Sequence, residues 1–149
     1  MKKYLMLIIC LVIYSTNMFS QKIEKMKLSE LEIPKDYKLT EESRCKSIQA
    51  SIFFKNPEMY EMIYGKIKSK EVQNFENETD SGSILYLEFE EKFESISFVK
   101  GLIWGKSDKP TSKNPEEIYV ENNILIIWSF NKESELKKLS KAKVESEKK

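Results

Sequence analysis

Glu88 and Glu90 are the two carboxylates whose spacing could support catalysis. Residues 83–90 alternate between apolar and polar side chains, which predicts a strand. Two residues apart on a strand, these glutamates would share one face about 6.6 Å apart, a separation that glycosidase pairs also use. Glu91 and Glu94 follow directly, however, and a solvated acidic face explains the whole run. We therefore predict no catalytic residue, and a small carboxylate-based hydrolase remains an alternative.

Histidine is absent from the chain, which excludes histidine-based nucleophile pairs and nearly every kind of zinc site. Cys45 therefore has no histidine base to activate it. Cys45 precedes a predicted strand and shares the parity of polar Ser47 and Ser51, so we expect a partly exposed thiol. In an oxidising compartment such an unpaired thiol could join two chains as a dimer.

Residues 77–88 (N-E-T-D-S-G-S-I-L-Y-L-E) resemble the calcium loop of the EF-hand family, with Gly82 at position 6 and Glu88 at position 12. Acidic ligands are missing from three positions, which are occupied by Asn77, Thr79 and Ser81. The chain also has no second loop of this kind. We predict a polar turn that leads into a strand, and neither a metal nor a cofactor.

An aromatic and basic segment is the candidate binding site. Polar residues 106–116 form a long loop with two prolines, and such loops commonly carry binding residues. Aromatic side chains beside lysines suit contacts with a sugar, an acidic polymer or a protein. The predicted binding residues are Trp104, Lys106, Lys109, Lys113 and Tyr119. In the alternative interpretation, Trp104 belongs to the core and the lysines only keep the loop soluble.

The first half of the chain shows one strand and one helix that could position these residues. Residues 47–54 alternate, with Ile48, Ala50, Ile52 and Phe54 on one face, which predicts a strand. A helix is predicted from Pro57 to about residue 70, because Asn56 is a favoured N-cap and proline suits the first helical position. Its apolar stripe would be Met59, Ile63 and Ile67.

The second half contains the clearest turn signal. Residues 91–104 are predicted to be helical and to end at Gly105. Asn122-Asn123, between apolar residues 118–121 and 124–130, predicts a hairpin, because asparagine tolerates positive φ angles. A final helix over residues 132–144 would pack lightly on a thin stripe of Leu136, Leu139 and Ala142.

These elements predict a single small α+β domain. The order β-α-β-α-β-β-α is satisfied by a mixed sheet of about four strands, with the helices packed on one face. The domain would span residues 47–144, after an N-terminal arm or lead-in strand at 21–46. Residues 145–149 would be a disordered tail.

Residues 1–20 have the three-part layout of a signal peptide. Lys2 and Lys3 precede an apolar run, Tyr4 to Tyr14, and a polar patch follows. Eleven helical residues rise only about 16 Å, whereas a membrane span needs about twenty residues. We expect cleavage after Ser20 and a secreted or periplasmic protein with no stable membrane span, the alternative being an anchor that is retained.

The charge composition of the chain restricts the class of partner that it can bind. The chain has 25 basic and 24 acidic residues, and without Lys2 and Lys3 its formal charge is slightly negative. Arg44 is its only arginine, which argues against nucleic-acid binding. The sequence thus favours a non-enzymatic binding or interaction module of the cell envelope, bound to a protein or a polysaccharide. A secreted inhibitor or immunity-type protein is a further alternative.

Overall fold

The computed structural model describes residues 22–148, which form an α+β domain around one five-stranded sheet. After a helical turn at residues 22–26, the strands are β1 Lys38–Thr40, β2 Ile67–Glu76, β3 Ser81–Phe89, β4 Glu117–Glu121 and β5 Ile124–Ser129. The helices are α1 Ile48–Lys55, a 3-10 turn Pro57–Tyr60, α2 Glu61–Tyr64, α3 Ile96–Trp104 and α4 Glu135–Ser146. The predicted fold class, a single small α+β domain, is confirmed.

The sheet has the strand order β1-β2-β3-β5-β4, and every neighbouring pair is antiparallel. It therefore has five strands rather than about four, and it is not mixed. The additional long strand is β2, which pairs with β3 from Ile67 opposite Phe89 to Glu76 opposite Ser81. Because short turns join β2 to β3 and β4 to β5, both connections are hairpins and neither needs a parallel crossover.

The strand predicted at residues 47–54 is wrong, because this segment is helix α1. Ser47 is its N-cap, and the Ser47 hydroxyl accepts a hydrogen bond from the Ala50 amide at 3.3 Å. Ala50, Phe53 and Phe54 are buried at helical spacing, whereas Ile48 is exposed. The alternation of apolar residues was a coincidence within a segment that also has a helical period.

The helix predicted from Pro57 stops earlier than expected. It starts after Asn56 as predicted, but it ends at Tyr64, and Gly65 adopts a φ of 75° that other residues rarely tolerate. Ile67 then begins β2. Met59 and Ile63 are exposed, so the predicted apolar stripe does not face the core.

Helices cover both faces of the sheet, which differs from the predicted one-sided arrangement. On one face, Ile84 and Tyr86 of β3 pack with residues of the N-terminal segment and of α4. On the other face, Leu85 and Leu87 pack with α1 and α3. Because β3 and β5 are buried on both faces, each face needs its own cover.

The N-terminal segment belongs to this domain. Ile23, Met26 and Leu28 are buried in the core, and β1 pairs with the end of β2 at the sheet edge. The Leu28 amide and carbonyl hydrogen-bond to the Gln73 side chain at 3.1 and 2.8 Å. Residues before 47 thus contribute both a lead-in strand and part of the core.

The predicted hairpin and final helix are present with small shifts. Asn122 has a φ of 53°, and Glu121 pairs with Ile124 across the turn. Helix α4 buries Leu136, Ser140 and Val144 at a spacing of four residues. Leu139 and Ala142 of the predicted stripe are exposed, and the helix continues to Ser146, into the segment predicted to be a disordered tail.

Candidate functional site

Trp104 and Tyr119, the two aromatic residues of the predicted binding site, lie on opposite faces of the sheet. Trp104 is only 8% exposed, and its Nε1 donates a hydrogen bond to the carbonyl of Glu116 at 2.8 Å. The Tyr119 hydroxyl donates to a carboxylate oxygen of Glu121 at 2.8 Å. The structure therefore does not bring these two rings together, and Trp104 is a core residue.

Lys106, Lys109 and Lys113 are exposed on the loop between α3 and β4. Within residues 22–148 none of the three forms an ion pair. The loop has internal order, because the Thr111 amide donates to the Asn114 carbonyl at 2.9 Å. The lysines are thus available for binding on an ordered loop, but without the two aromatic rings.

Glu116, at the end of this loop, is a buried carboxylate that sequence reasoning missed. Its side chain is fully buried and accepts hydrogen bonds from the Ser47 amide at 2.7 Å and from the Ser129 hydroxyl at 3.0 Å. These contacts join the loop to the start of α1 and to β5. Glu116 therefore holds three elements together, which is a structural role.

Glu88 and Glu90 have different surroundings. Glu88 is 4% exposed, with Lys68 Nζ at 3.7 Å and Asn123 Nδ2 at 3.4 Å from its Oε1. Glu90 lies beyond the end of β3 and is exposed. One carboxylate is buried beside a cation and the other faces solvent, so the two do not form a symmetric catalytic pair.

The segment that resembles a calcium loop is divided between a turn and a strand. The Asn77 side-chain oxygen accepts hydrogen bonds from the amides of Thr79 and Asp80, at 2.9 and 2.7 Å. Residues from Ser81 onward belong to β3, so Glu88 lies far along an extended strand from this turn. The described residues contain no cluster of three or more acidic or cysteine side chains arranged to hold a metal ion.

Cys45 is half-buried, and its Sγ lies 2.8 Å from the hydroxyl oxygen of Ser43. Burial raises the pKa of the Cys45 thiol, which leaves less reactive thiolate at neutral pH. Without a histidine in the chain, the thiol has no imidazole to activate it. This environment disfavours a nucleophilic role.

Exposed apolar side chains form the most distinctive surface of the described residues. Two neighbouring segments contribute them, the helical residues 57–64 and the first residues of α3. We call this set the apolar surface, and it comprises Met59, Met62, Ile63, Ile96 and Phe98. Met62 is 98% exposed, and the others are about half exposed or more. Gly65 is the residue in the sequence that could have indicated this apolar surface, because a glycine there ends the helix before its apolar residues can form a buried stripe.

A cavity of about 320 Å³ opens within the apolar surface, between Ile63 and Phe98. Tyr64 lines it and is itself held by the rings of Phe93 and Phe98, whose centroids lie 5.0 and 6.0 Å away. The Tyr64 hydroxyl is buried and has no hydrogen-bond partner among the described residues. Burial raises the pKa of Tyr64 to about 12, so this hydroxyl is a protonated donor at neutral pH.

Acidic residues border the same cavity. Glu94 and Ser95 contribute to its lining, and the Glu91 side chain packs against Gly65 beside Tyr64. The two segments that carry the apolar surface, residues 57–65 and 93–99, contain Glu58, Glu61 and Glu94 but no lysine or arginine. Lys55, Lys66, Lys92 and Lys100 directly flank these segments, so acidic and basic residues both lie around the apolar surface, while the cavity lining holds one acid, Glu94.

The predicted signal peptide lies outside the described residues. Within residues 22–148, no helix combines the length and the apolar character that crossing a bilayer requires. Neither a protein-family model, nor a curated protein, nor a solved structure matches this chain.

Proposed function

We propose that the protein is an exported binding module that binds another protein through the apolar surface of Met59, Met62, Ile63, Ile96 and Phe98. The observation that carries this proposal is the cavity between Ile63 and Phe98, which is shaped to receive one apolar side chain of a partner. Ile63 and Phe98 come together at this cavity, and clustered exposed apolar groups on a small domain commonly mark an interaction site. Two of the five side chains are methionines, whose flexible thioethers adapt to a partner's shape.

Core formation does not explain this exposure. The face of the sheet behind the apolar surface is already filled by Phe53, Val99 and Ile103, each fully buried. The exposed residues lie outside this layer, where each apolar side chain in water costs free energy that burial would recover. A partner that covers them would recover it on binding.

The charge at the cavity indicates the partner's chemistry. Among the described residues, Glu94 is the one charged residue in the lining of the cavity. Complementary charges steer association and reject wrong partners. We infer a partner segment that combines an apolar anchor with lysine or arginine side chains.

Export is part of this proposal and depends on the layout of residues 1–20. A secreted or envelope-located module would meet its partner outside the cytoplasm. An inhibitor or immunity-type protein would be one special case, in which the partner is an enzyme. The identity of the captured partner distinguishes these cases.

The test is site-specific photo-crosslinking of the whole chain in its host. A photoreactive residue replaces Met62 in one variant and Leu31 in a matched control. Both side chains are 98% exposed, but Leu31 lies on the N-terminal segment, away from the apolar surface. We expect position 62 to crosslink to one protein, through a peptide that contains apolar and basic residues. Equal products from positions 62 and 31, or crosslinks to lipid, would refute the proposal.

Binding variants complete this test. Met62→Ser combined with Phe98→Ala should abolish capture of that protein, whereas Leu31→Ser should retain it. Circular dichroism and thermal unfolding then establish that each variant is folded. Added salt should weaken capture, because the charge complementarity is exposed and therefore screened. Capture that survives the double substitution would place the binding surface elsewhere.

A further inference from the structure

A second cavity, of about 430 Å³, lies between the lysine-bearing loop and the start of α4. Its size falls within the range of about 300–1,000 Å³ that is common for small-molecule sites. Loop residues and residues from β4 to α4 line it together: Pro110, Thr111, Ser112, Pro115, Glu117, Lys132 and Lys137. It is remote in sequence from the segments that form the apolar surface.

Positive charge exceeds negative charge around this cavity. Lys137 is only 3% exposed, and its Nζ lies 2.7 Å from Glu117 Oε1, while Lys141 Nζ lies 2.5 Å from Glu117 Oε2. One carboxylate is therefore shared by two ammonium groups. Lys132 lines the same cavity and forms no ion pair with any residue in the range 22–148. The local balance favours an anionic ligand.

The Glu117 carboxylate remains ionised in this arrangement. Although burial opposes its ionisation, hydrogen bonds from Lys137 and Lys141 hold the pKa of Glu117 below its ordinary value. Both lysines are thereby kept in place at the cavity. A buried lysine positioned in this way loses little additional side-chain freedom when a ligand binds.

Hydroxyl groups and proline rings supply the remaining chemistry. Thr111 Oγ1 accepts a hydrogen bond from the Asn114 amide at 3.1 Å, and this leaves its own proton free to donate. Ser112 is exposed beside it. Pro110 and Pro115 provide apolar walls. A ligand with an anionic group, several hydroxyls and an apolar ring face would match all of these features.

We propose that this cavity binds an acidic sugar, whose carboxylate lies near Lys132 and Lys137 and whose ring packs against Pro110 and Pro115. Thr111 and Ser112 donate hydrogen bonds to the sugar hydroxyls. This site is independent of the apolar surface, so either proposal can fail without the other. It also assigns a role to the loop whose other lysines, Lys109 and Lys113, extend the positive surface.

The test is NMR titration of the ¹⁵N-labelled protein with glucuronate, and with glucose and inorganic phosphate as separate probes. We expect glucuronate to shift the amide signals of Thr111, Ser112, Lys132 and Lys137 in a saturable way. Glucose lacks the charge and phosphate lacks the ring, so each should bind at least about tenfold more weakly. Equal binding of glucose or of phosphate would overturn the proposal, as would unchanged signals with glucuronate.

Lys132→Gln is the informative variant, because Lys132 has no ion pair to lose within residues 22–148. It should weaken glucuronate binding about tenfold, since charge-assisted hydrogen bonds of this kind are strong. Lys35→Gln removes the same charge from an exposed position elsewhere and should leave affinity unchanged. An equal effect of the two substitutions would mean that only net charge matters, and the site would be refuted.

Discussion

Gly82 is the position where a single methyl group should test the packing of the core most directly. A Cβ built on Gly82 would lie 2.2 Å from Cδ1 and 2.4 Å from Cγ of Phe130, distances that real Cβ atoms do not reach. Phe130 is 1% exposed, and its ring packs beside Phe75, the register partner of Gly82. The φ of Gly82 is not in the left-handed region, so the backbone itself would accept alanine.

Gly82→Ala must therefore displace a buried ring. Overpacking of this kind costs about 1–3 kcal/mol. For a domain of this size, the corresponding fall in Tm is about 4–12 °C. Urea denaturation measures the change in the free energy of unfolding, and calorimetry measures Tm. Because the clash is with one ring, Phe130→Leu should make Gly82→Ala less costly, with a coupling of about 1 kcal/mol in a double-mutant cycle.

Gly101→Ala is the matched control. Gly101 lies inside α3, and a Cβ there meets no atom within 4 Å. This substitution should stabilise the protein by about 0.5–1 kcal/mol, because alanine is the better helix former. If Gly82→Ala behaved like Gly101→Ala, or had the same effect in a Phe130→Leu background, the Phe130 ring would not be what restricts position 82.

Other parts of the molecule give independent tests. Trp104→Ala should lower the free energy of unfolding by about 3–5 kcal/mol, measured in urea, because Trp104 is a core residue; a change below about 0.5 kcal/mol would place it outside the core. Glu117→Gln should cost about 1–3 kcal/mol at neutral pH because it leaves Lys137 buried without its anion. Because the pKa of Glu117 is lowered in the folded protein, its contribution to folding stability is complete above the ordinary carboxyl pKa and is lost as pH falls through the lowered value. The difference in stability between Glu117→Gln and the wild type should therefore shrink in acid, and a difference that stays constant with pH would contradict this. Cys45 should react with a thiol reagent more slowly in the folded protein than in urea, since burial raises its pKa; equal rates would show that the thiol is unprotected. Non-reducing gels should show some dimer, which Cys45→Ser should remove. N-terminal sequencing of the exported protein should begin at or within a few residues of Gln21, and recovery of an intact N-terminus from membranes would argue for an anchor.

Local signals were sufficient for the C-terminal half of the fold. Asn122-Asn123 lies between two apolar runs, and the hairpin forms there because few other residue pairs tolerate its turn. The final helix, predicted from residue 132, begins at Glu135, where Ser134 caps α4 by accepting from the Lys137 amide at 3.2 Å. These features are decided within a few residues of chain, so the sequence alone predicts them.

The first half required information that its own pattern does not contain. Residues 47–54 carry apolar side chains at both strand and helix spacing, and only the Ser47 cap favours the helix that forms. Strand β2 looks polar and lysine-rich, and it is a strand because it pairs along its whole length with β3. Tertiary pairing of this kind overrides local propensity.

Tertiary contacts also explain why the sequence did not predict the N-terminal segment and α4 as the cover of a second face of the sheet. Tyr86 and Glu88 occupy the polar positions of an alternating strand, which predicted a face in contact with water. Both are buried: Tyr86 packs in the core under the N-terminal segment and α4, and Glu88 lies beside Lys68 and Asn123. The Tyr86 hydroxyl donates to Gln73 at 3.1 Å, which satisfies it inside the core. A polar position on a strand becomes buried when a distant segment supplies both cover and a hydrogen-bond partner.

The apolar stripe of Met59, Ile63 and Ile67 was predicted to face the core, and this error in the fold is also the reason why the apolar surface was not predicted. Apolar residues at helical spacing are expected to face a core, and that expectation was reasonable for a helix of four turns. Gly65 ends the helix after two short segments, so Ile67 enters β2 while Met59 and Ile63 stay in solvent. Apolar side chains that folding does not bury are retained at a cost in free energy. Of these two exposed residues, Ile63 lines the cavity with Glu94 and Phe98, and there the proposed partner would cover it.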